Sequence, residues 1–141
     1  MDTIESIWEE QAISLFSEGK GYMKTLEKHL ETPSRFNNDT LFNIAVLSLE
    51  KMFVALLAHH EVEALHHTPM ALFREAQSVN PGLTDDMKQT AKLIASHESI
   101  CSLDDKGYTT PTDDEMKRII CGLIEMKDFI GSILINSSTR S

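Results

Sequence analysis

The sequence predicts an all-α protein, an antiparallel up-and-down four-helix bundle with one short extra helix between the second and third long helices. Three observations carry that expectation. Apolar residues recur at spacings of three and four along four long stretches, the period of an amphipathic helix. No stretch alternates with the period of two that a half-buried strand requires. Capping residues and prolines punctuate the periodic stretches and keep the connections short, which favours antiparallel neighbours.

The first helix is expected over 3–31, with Asp2 as N-cap and Glu5 completing a capping box. Ile4, Trp8, Ala12, Leu15, Tyr22, Leu26 and Leu30 give its apolar face. Gly19 and Gly21 interrupt it, and the sequence leaves two roles open: a loosened turn, or close approach of a neighbouring helix. Pro33 ends the helix by disfavouring the α conformation in Thr32. Asn37-Asn38-Asp39 then supplies turn and cap residues for a second helix over about 40–60. Phe42, Ala45, Val46, Leu49, Phe53, Leu56 and Leu57 give it a broad apolar face, widened by Met52 and Val54.

Thr68-Pro69 starts the short helix, about 69–78, with threonine at the cap and proline where its missing N–H is harmless. Asn80-Pro81-Gly82 breaks it. Thr84 caps a third long helix over about 84–103, with Met87, Ala91, Ile94, Glu98 and Cys101 along one stripe. Residues 104–112 read as a loop, and Thr112 with Glu115 forms a second capping box. That box opens a fourth long helix over about 113–136, with Met116, Ile119, Ile120, Leu123, Ile130 and Leu134 inward, and the last residues form a frayed tail.

The chain reads as a single domain over 1–141, with an ordered core over 3–136. Its 13 basic against 22 acidic residues give a formal charge of −9, which makes it a poor general binder of phosphate backbones and disfavours anionic membrane surfaces, while leaving room for a local basic patch. No apolar run approaches the ~20 residues of a membrane span, and the acidic start MDTIESIWEE is unlike a signal or transit peptide. The expected location is the cytoplasm. Cys101 and Cys121 read as small buried thiols in a reducing compartment, with no disulfide framework.

Leu49-Glu50-Lys51 followed by Ala55-Leu56-Leu57 resembles the Glu-Lys…Ala-Leu signature on the second helix of HEPN domains, nucleotide-binding helical bundles of prokaryotes and higher eukaryotes. His67-Thr68-Pro69-Met70-Ala71-Leu72-Phe73 is similar to the start of that family's short helix. The third helix, a loop with Tyr108 and an amphipathic fourth helix follow in the family's order, so the likeness covers roughly residues 5–135. The resemblance implies one of two activities. Ribonuclease members carry Arg followed after about four to six residues by His, pairing an acid–base group with a cation for the phosphorane charge. Here the permitted positions hold Thr40, Leu41 and Phe42 after Arg35, and Val79, Asn80 and Pro81 after Arg74. After Arg118 they hold Leu123, Ile124 and Glu125, and Arg140 ends the chain, so the motif is absent. Lys92 and His97 have the right gap but lack the guanidinium fork, leaving a degenerate ribonuclease as one alternative. The other branch of the family is non-catalytic, often homodimeric, and works beside a nucleotidyltransferase. This chain has no transferase signature, so that partner would be another polypeptide.

His59, His60, His66 and His67 fall close together with Glu61 and Glu63 among them. Glu63-Ala-Leu-His66 matches one Glu-x-x-His element of di-iron bundles, but those need a second copy and inward carboxylates on the remaining helices. A site built from His59, His60, Glu63 and His66, or from His59 or His60 with His66 and His97, is the metal alternative. A helix-terminal role competes with it, because histidines favour the exposed carbonyls at a helix C-terminus. The leading expectation is a binding module without cofactor that holds a nucleotide or partners a transferase. His66, His67, Arg74, Lys92 and His97 are its ligand-facing residues, with Arg74 as phosphate clamp.

Overall fold

A computed structural model of the chain describes residues 3–33, 35–98 and 109–138, with side chains described over 7–33, 35–98 and 109–135. The described residues form five α-helices and no strand: α1 (Thr3–Glu31), α2 (Asn38–His59), α3 (Pro69–Val79), α4 (Asp85–Glu98) and α5 (Asp113–Ser138). Caps set most of these limits. Asn37 accepts the Thr40 N–H at 2.9 Å to start α2, two residues earlier than the apolar pattern alone suggests. Thr84 accepts the Met87 N–H at 3.2 Å ahead of α4. Both bonds of the Thr112–Glu115 capping box form, at 3.0 and 3.2 Å. Thr68 is the N-cap residue of α3 with Pro69 in the first turn, but its hydroxyl makes no cap bond, so proline's fixed φ carries that start. The expected Asp2 cap, the end of the third long helix with Cys101, and the loop residues 104–108 with Tyr108 lie outside the described residues.

Named contacts give the helix directions. Glu9 meets His59, Glu18 meets Lys51 and the Gly19 carbonyl accepts from Ser48, so α1 and α2 run antiparallel. On α4 and α5, Thr90 lies against Gly122 and His97 against Glu115, again antiparallel. Glu50 meets His67, Phe53 meets Phe73 and His60 meets Asn80. The strap after α2 therefore turns back along it, and α3 then runs in the same direction as α2. α2 packs on α1, α3 and α5, while α5 also packs on α1 and α4.

The core centres on α2, where Leu41, Phe42, Ala45, Leu49, Met52, Phe53, Leu56 and Leu57 are all at most 1% exposed. Burying each large apolar side chain contributes roughly 1.5–3 kcal/mol. The Phe53 and Phe73 rings meet edge to face with centroids 5.9 Å apart and tie α3 to α2. α2 is the one described helix that meets the length and apolarity of a membrane span, with a mean hydropathy of 1.8. Because 61% of that window is buried in the protein, its apolarity serves the core.

Three helices depart in part from the expected faces. On α4 the buried stripe is Met87, Thr90, Ala91, Ile94 and His97, so among the described residues the last inward one is three positions after Ile94 and Glu98 is exposed. Cys121 is an exposed free thiol, not a buried hydrophobe. On α1, Phe16 and Met23 take the deepest positions while Leu15 and Tyr22 are half-buried.

Gly19 and Gly21 separate cleanly. A Cβ at Gly19 would lie 2.8 Å from Met52 Cγ, whereas one at Gly21 would meet nothing within 4 Å. Gly19 is the close-approach residue, and α1 runs through both glycines without a break.

Candidate ligand-binding site

The four clustered histidines each find a different partner. His59 Nδ1 lies 3.3 Å from Glu9 on α1, and its ring meets the His60 ring edge to face at 5.0 Å. His60 turns toward Asn80, 3.4 Å away, and burial followed by the neighbouring His59 holds its pKa below the ordinary 6.5. His66 is exposed, with Nδ1 3.7 Å from Glu75, and His67 Nδ1 is 2.7 Å from Glu50. Glu63 is exposed. Among the described residues, no three His, Cys, Asp or Glu side chains converge as a metal site would require. The set His59, His60, Glu63 and His66 is therefore not assembled in this fold.

These contacts shape the strap that carries α2 into α3. Glu61 adopts a positive φ of 61° to reverse the chain after α2. The Glu75 carboxylate then accepts the backbone N–H groups of Leu65 and His66, each at 3.1 Å. One carboxylate on α3 thus satisfies two adjacent backbone donors and holds the strap in place. The Glu50–His67 pair ties its far end to α2.

His97 sits elsewhere, 6% exposed, with its ring edge-on to Phe42 at 5.8 Å. Nδ1 lies 2.8 Å from the Thr109 carbonyl. A carbonyl only accepts, so Nδ1 carries the proton. Nε2 faces Glu115 Oε2 at 3.4 Å without a hydrogen bond. The Thr112 N–H holds the Glu115 carboxyl below its ordinary 4.5. Thr110 donates to Asp39, and Asn38 Nδ2 donates to the Pro111 carbonyl at 3.0 Å. His97 therefore helps fasten the 109–112 segment to the start of α2.

Lys92 and Arg74 are both exposed. Lys92 lies across a groove of about 390 Å³ between α4 and α5, lined by Gln89, Thr90, Lys92, Leu93, Ser96 and Arg118. The five residues expected to share a site thus occupy separate settings: His66 and His67 on the strap, Arg74 on α3, Lys92 in this groove, and His97 under the 109–112 segment. Arg118, which starts no ribonuclease motif, is the groove residue absent from the expected ligand-facing set. Its signal was the polar stripe of Gln89, Lys92 and Ser96 on the facing helix.

The chain matches no known family model, no curated protein and no solved structure.

Proposed function

We propose that this chain is a non-catalytic, HEPN-like binding module of the cytoplasm that holds a nucleotide or partners a nucleotidyltransferase polypeptide, acting as a homodimer. In this reading α1, α2, α4 and α5 form the antiparallel up-and-down four-helix bundle, and α3 is the short extra helix. The pairwise directions of the helices support the bundle, and the Glu-Lys signature on α2 supports the family.

One observation carries the non-catalytic reading. His97, the histidine nearest to a catalytic position, is committed inside the fold while Lys92 lies at the surface. A general acid–base group must reach the proton it moves. A buried Nε2 facing a carboxylate serves packing and fastening better than turnover. Neutral and acidic partners likewise occupy the four clustered histidines.

The test is a thermal-shift series with AMP, ADP and ATP against adenosine, run beside a cleavage assay on single-stranded RNA. Nucleotide-dependent stabilisation with intact RNA supports the reading. RNA cleavage that Lys92→Ala or His97→Ala abolishes would replace it with the degenerate ribonuclease.

A further inference from the structure

We propose that the α4–α5 groove is an anion site that takes a phosphate or diphosphate group, with Lys92 and Arg118 as its two cationic walls and the Gln89 amide beside them. For the identity of the whole ligand this rests on the binding-module reading, whereas the chemistry of the groove is argued from its own residues.

Helix register places the groups. Thr90 opposite Gly122 and His97 opposite Glu115 put Arg118 level with Ile94, two residues or about 3 Å along the axis from Lys92. Gln89 and Lys92 are three positions apart and so share a face of α4. Two positive side chains therefore flank one depression, and no carboxylate lines it. Among the described residues neither Lys92 nor Arg118 forms an ion pair or hydrogen bond. In a chain of net charge −9, two unpaired cations that share one groove lined by no carboxylate keep their donors available to a ligand.

The hydroxyls in the groove are already engaged. Thr90 donates to the Asp86 carbonyl at 3.2 Å and Ser96 to the Leu93 carbonyl at 2.7 Å. The free N–H groups thus belong to Lys92, Arg118 and Gln89, all donors and two of them charged. Such a set selects an anion with several acceptor oxygens, which the guanidinium fork engages through paired hydrogen bonds. At about 390 Å³ the depression holds a phosphate or diphosphate and leaves the remainder of a small ligand on the surface. The acidity of the rest of the chain opposes a long polyanion, so the inferred ligand is a small phosphorylated molecule.

Amide NMR titrations with pyrophosphate, ATP and adenosine test this on wild type, on the Lys92→Gln/Arg118→Gln pair, and on a Lys28→Gln/Arg35→Gln control. The control removes two cations that line a different surface hollow, beside Phe36. The expected result is that pyrophosphate and ATP shift amides around residues 89–96 and 118, that the first pair weakens both by about tenfold or more, and that the control binds like wild type. Added salt should weaken pyrophosphate, because the groove attracts it by charge. Pyrophosphate binding in the groove without any affinity for ATP supports the site and sinks the nucleotide reading. ATP binding unaffected by the Lys92/Arg118 pair sinks the site and leaves that reading standing. Absence of pyrophosphate shifts in folded wild type overturns the site outright.

Discussion

Thr90 occupies the space where a side chain on residue 122 would begin: a Cβ there would lie 2.6 Å from Thr90 Cγ2 and 2.8 Å from Thr90 Cβ. The absence of a Cβ at Gly122 is what lets α4 and α5 approach closely at this level, and the register it sets brings Lys92 and Arg118 to the same groove. Gly122→Ala gains up to about 1 kcal/mol of helix propensity but must displace atoms fixed near the α4 backbone, an overpacking cost of roughly 1–3 kcal/mol. Net destabilisation is expected in urea unfolding. The penalty should shrink by about 0.5 kcal/mol or more in a Thr90→Ala background, since the two sites touch. Additive effects, or a neutral Gly122→Ala, would show that the helices are not held this closely.

The two glycines of α1 make opposite predictions. Gly21 is exposed with nothing within 4 Å of its would-be Cβ, so Gly21→Ala should stabilise by about 1 kcal/mol, a rise in Tm of roughly 3 °C. At Gly19 the same gain is offset by the displacement of Met52, whose Cγ would be only 2.8 Å away. Gly19→Ala should therefore raise Tm less than Gly21→Ala. Equal gains measured by calorimetry would return Gly19 to the role of a mere interruption.

Helix existence and punctuation were legible in residues such as Asn37, Thr84, Thr112 and Pro69, because capping chemistry is local. Which side faces inward was less legible at the ends of stripes. Adjacent residues on a helix differ by about 100° of rotation, and steps of three or four both stay on one face. Ile94 therefore points equally well to His97 or Glu98, and polarity does not choose between them. The apolar positions of α1 are numerous enough to hide Phe16 and Met23 behind Leu15 and Tyr22. The candidate site was least legible. His59, His60 and His67 find their partners on Glu9, Asn80 and Glu50, residues distant in sequence that no local pattern connects to them. Arg118 entered the reading only as a failed motif position, since its pairing with Lys92 exists only once α4 and α5 are in register.

Glu75 is the clamp of the 61–68 strap. Glu75→Ala removes the acceptor for the Leu65 and His66 N–H groups. Both donors are near water, so a loss of about 0.5–1.5 kcal/mol is expected. Amide exchange at 65 and 66 should quicken more than exchange in the α2 core. Glu61→Gly should act the other way, relieving an L-residue held at φ 61°, a strain worth about 1 kcal/mol. If exchange at 65 and 66 stays slow in Glu75→Ala, the strap is held by something other than this carboxylate.

Stability should fall on mild acidification, and His60 supplies the first step. Its folded pKa lies below the ordinary 6.5 because burial, then His59, penalises the charged ring. Between that lowered value and 6.5 the unfolded chain binds more protons than the folded one, so unfolding becomes easier as pH drops. The contribution is complete above 6.5, declines as pH falls through the lowered value, and is flat below it. Glu115 adds a second step at lower pH. The Thr112 N–H depresses its folded pKa below 4.5, so its contribution is complete above the unfolded value and is lost as pH falls through the depressed one. Glu98 works in the opposite sense, because burial and then the nearby Glu50 raise its carboxyl above 4.5, so the two declining stages are read from urea midpoints between pH 7.5 and 3 in a Glu98→Gln background. His60→Gln should flatten the upper stage while leaving the lower one, and Glu115→Gln should do the reverse. An upper stage that persists unchanged in His60→Gln would assign it to another histidine and remove His60 from this account.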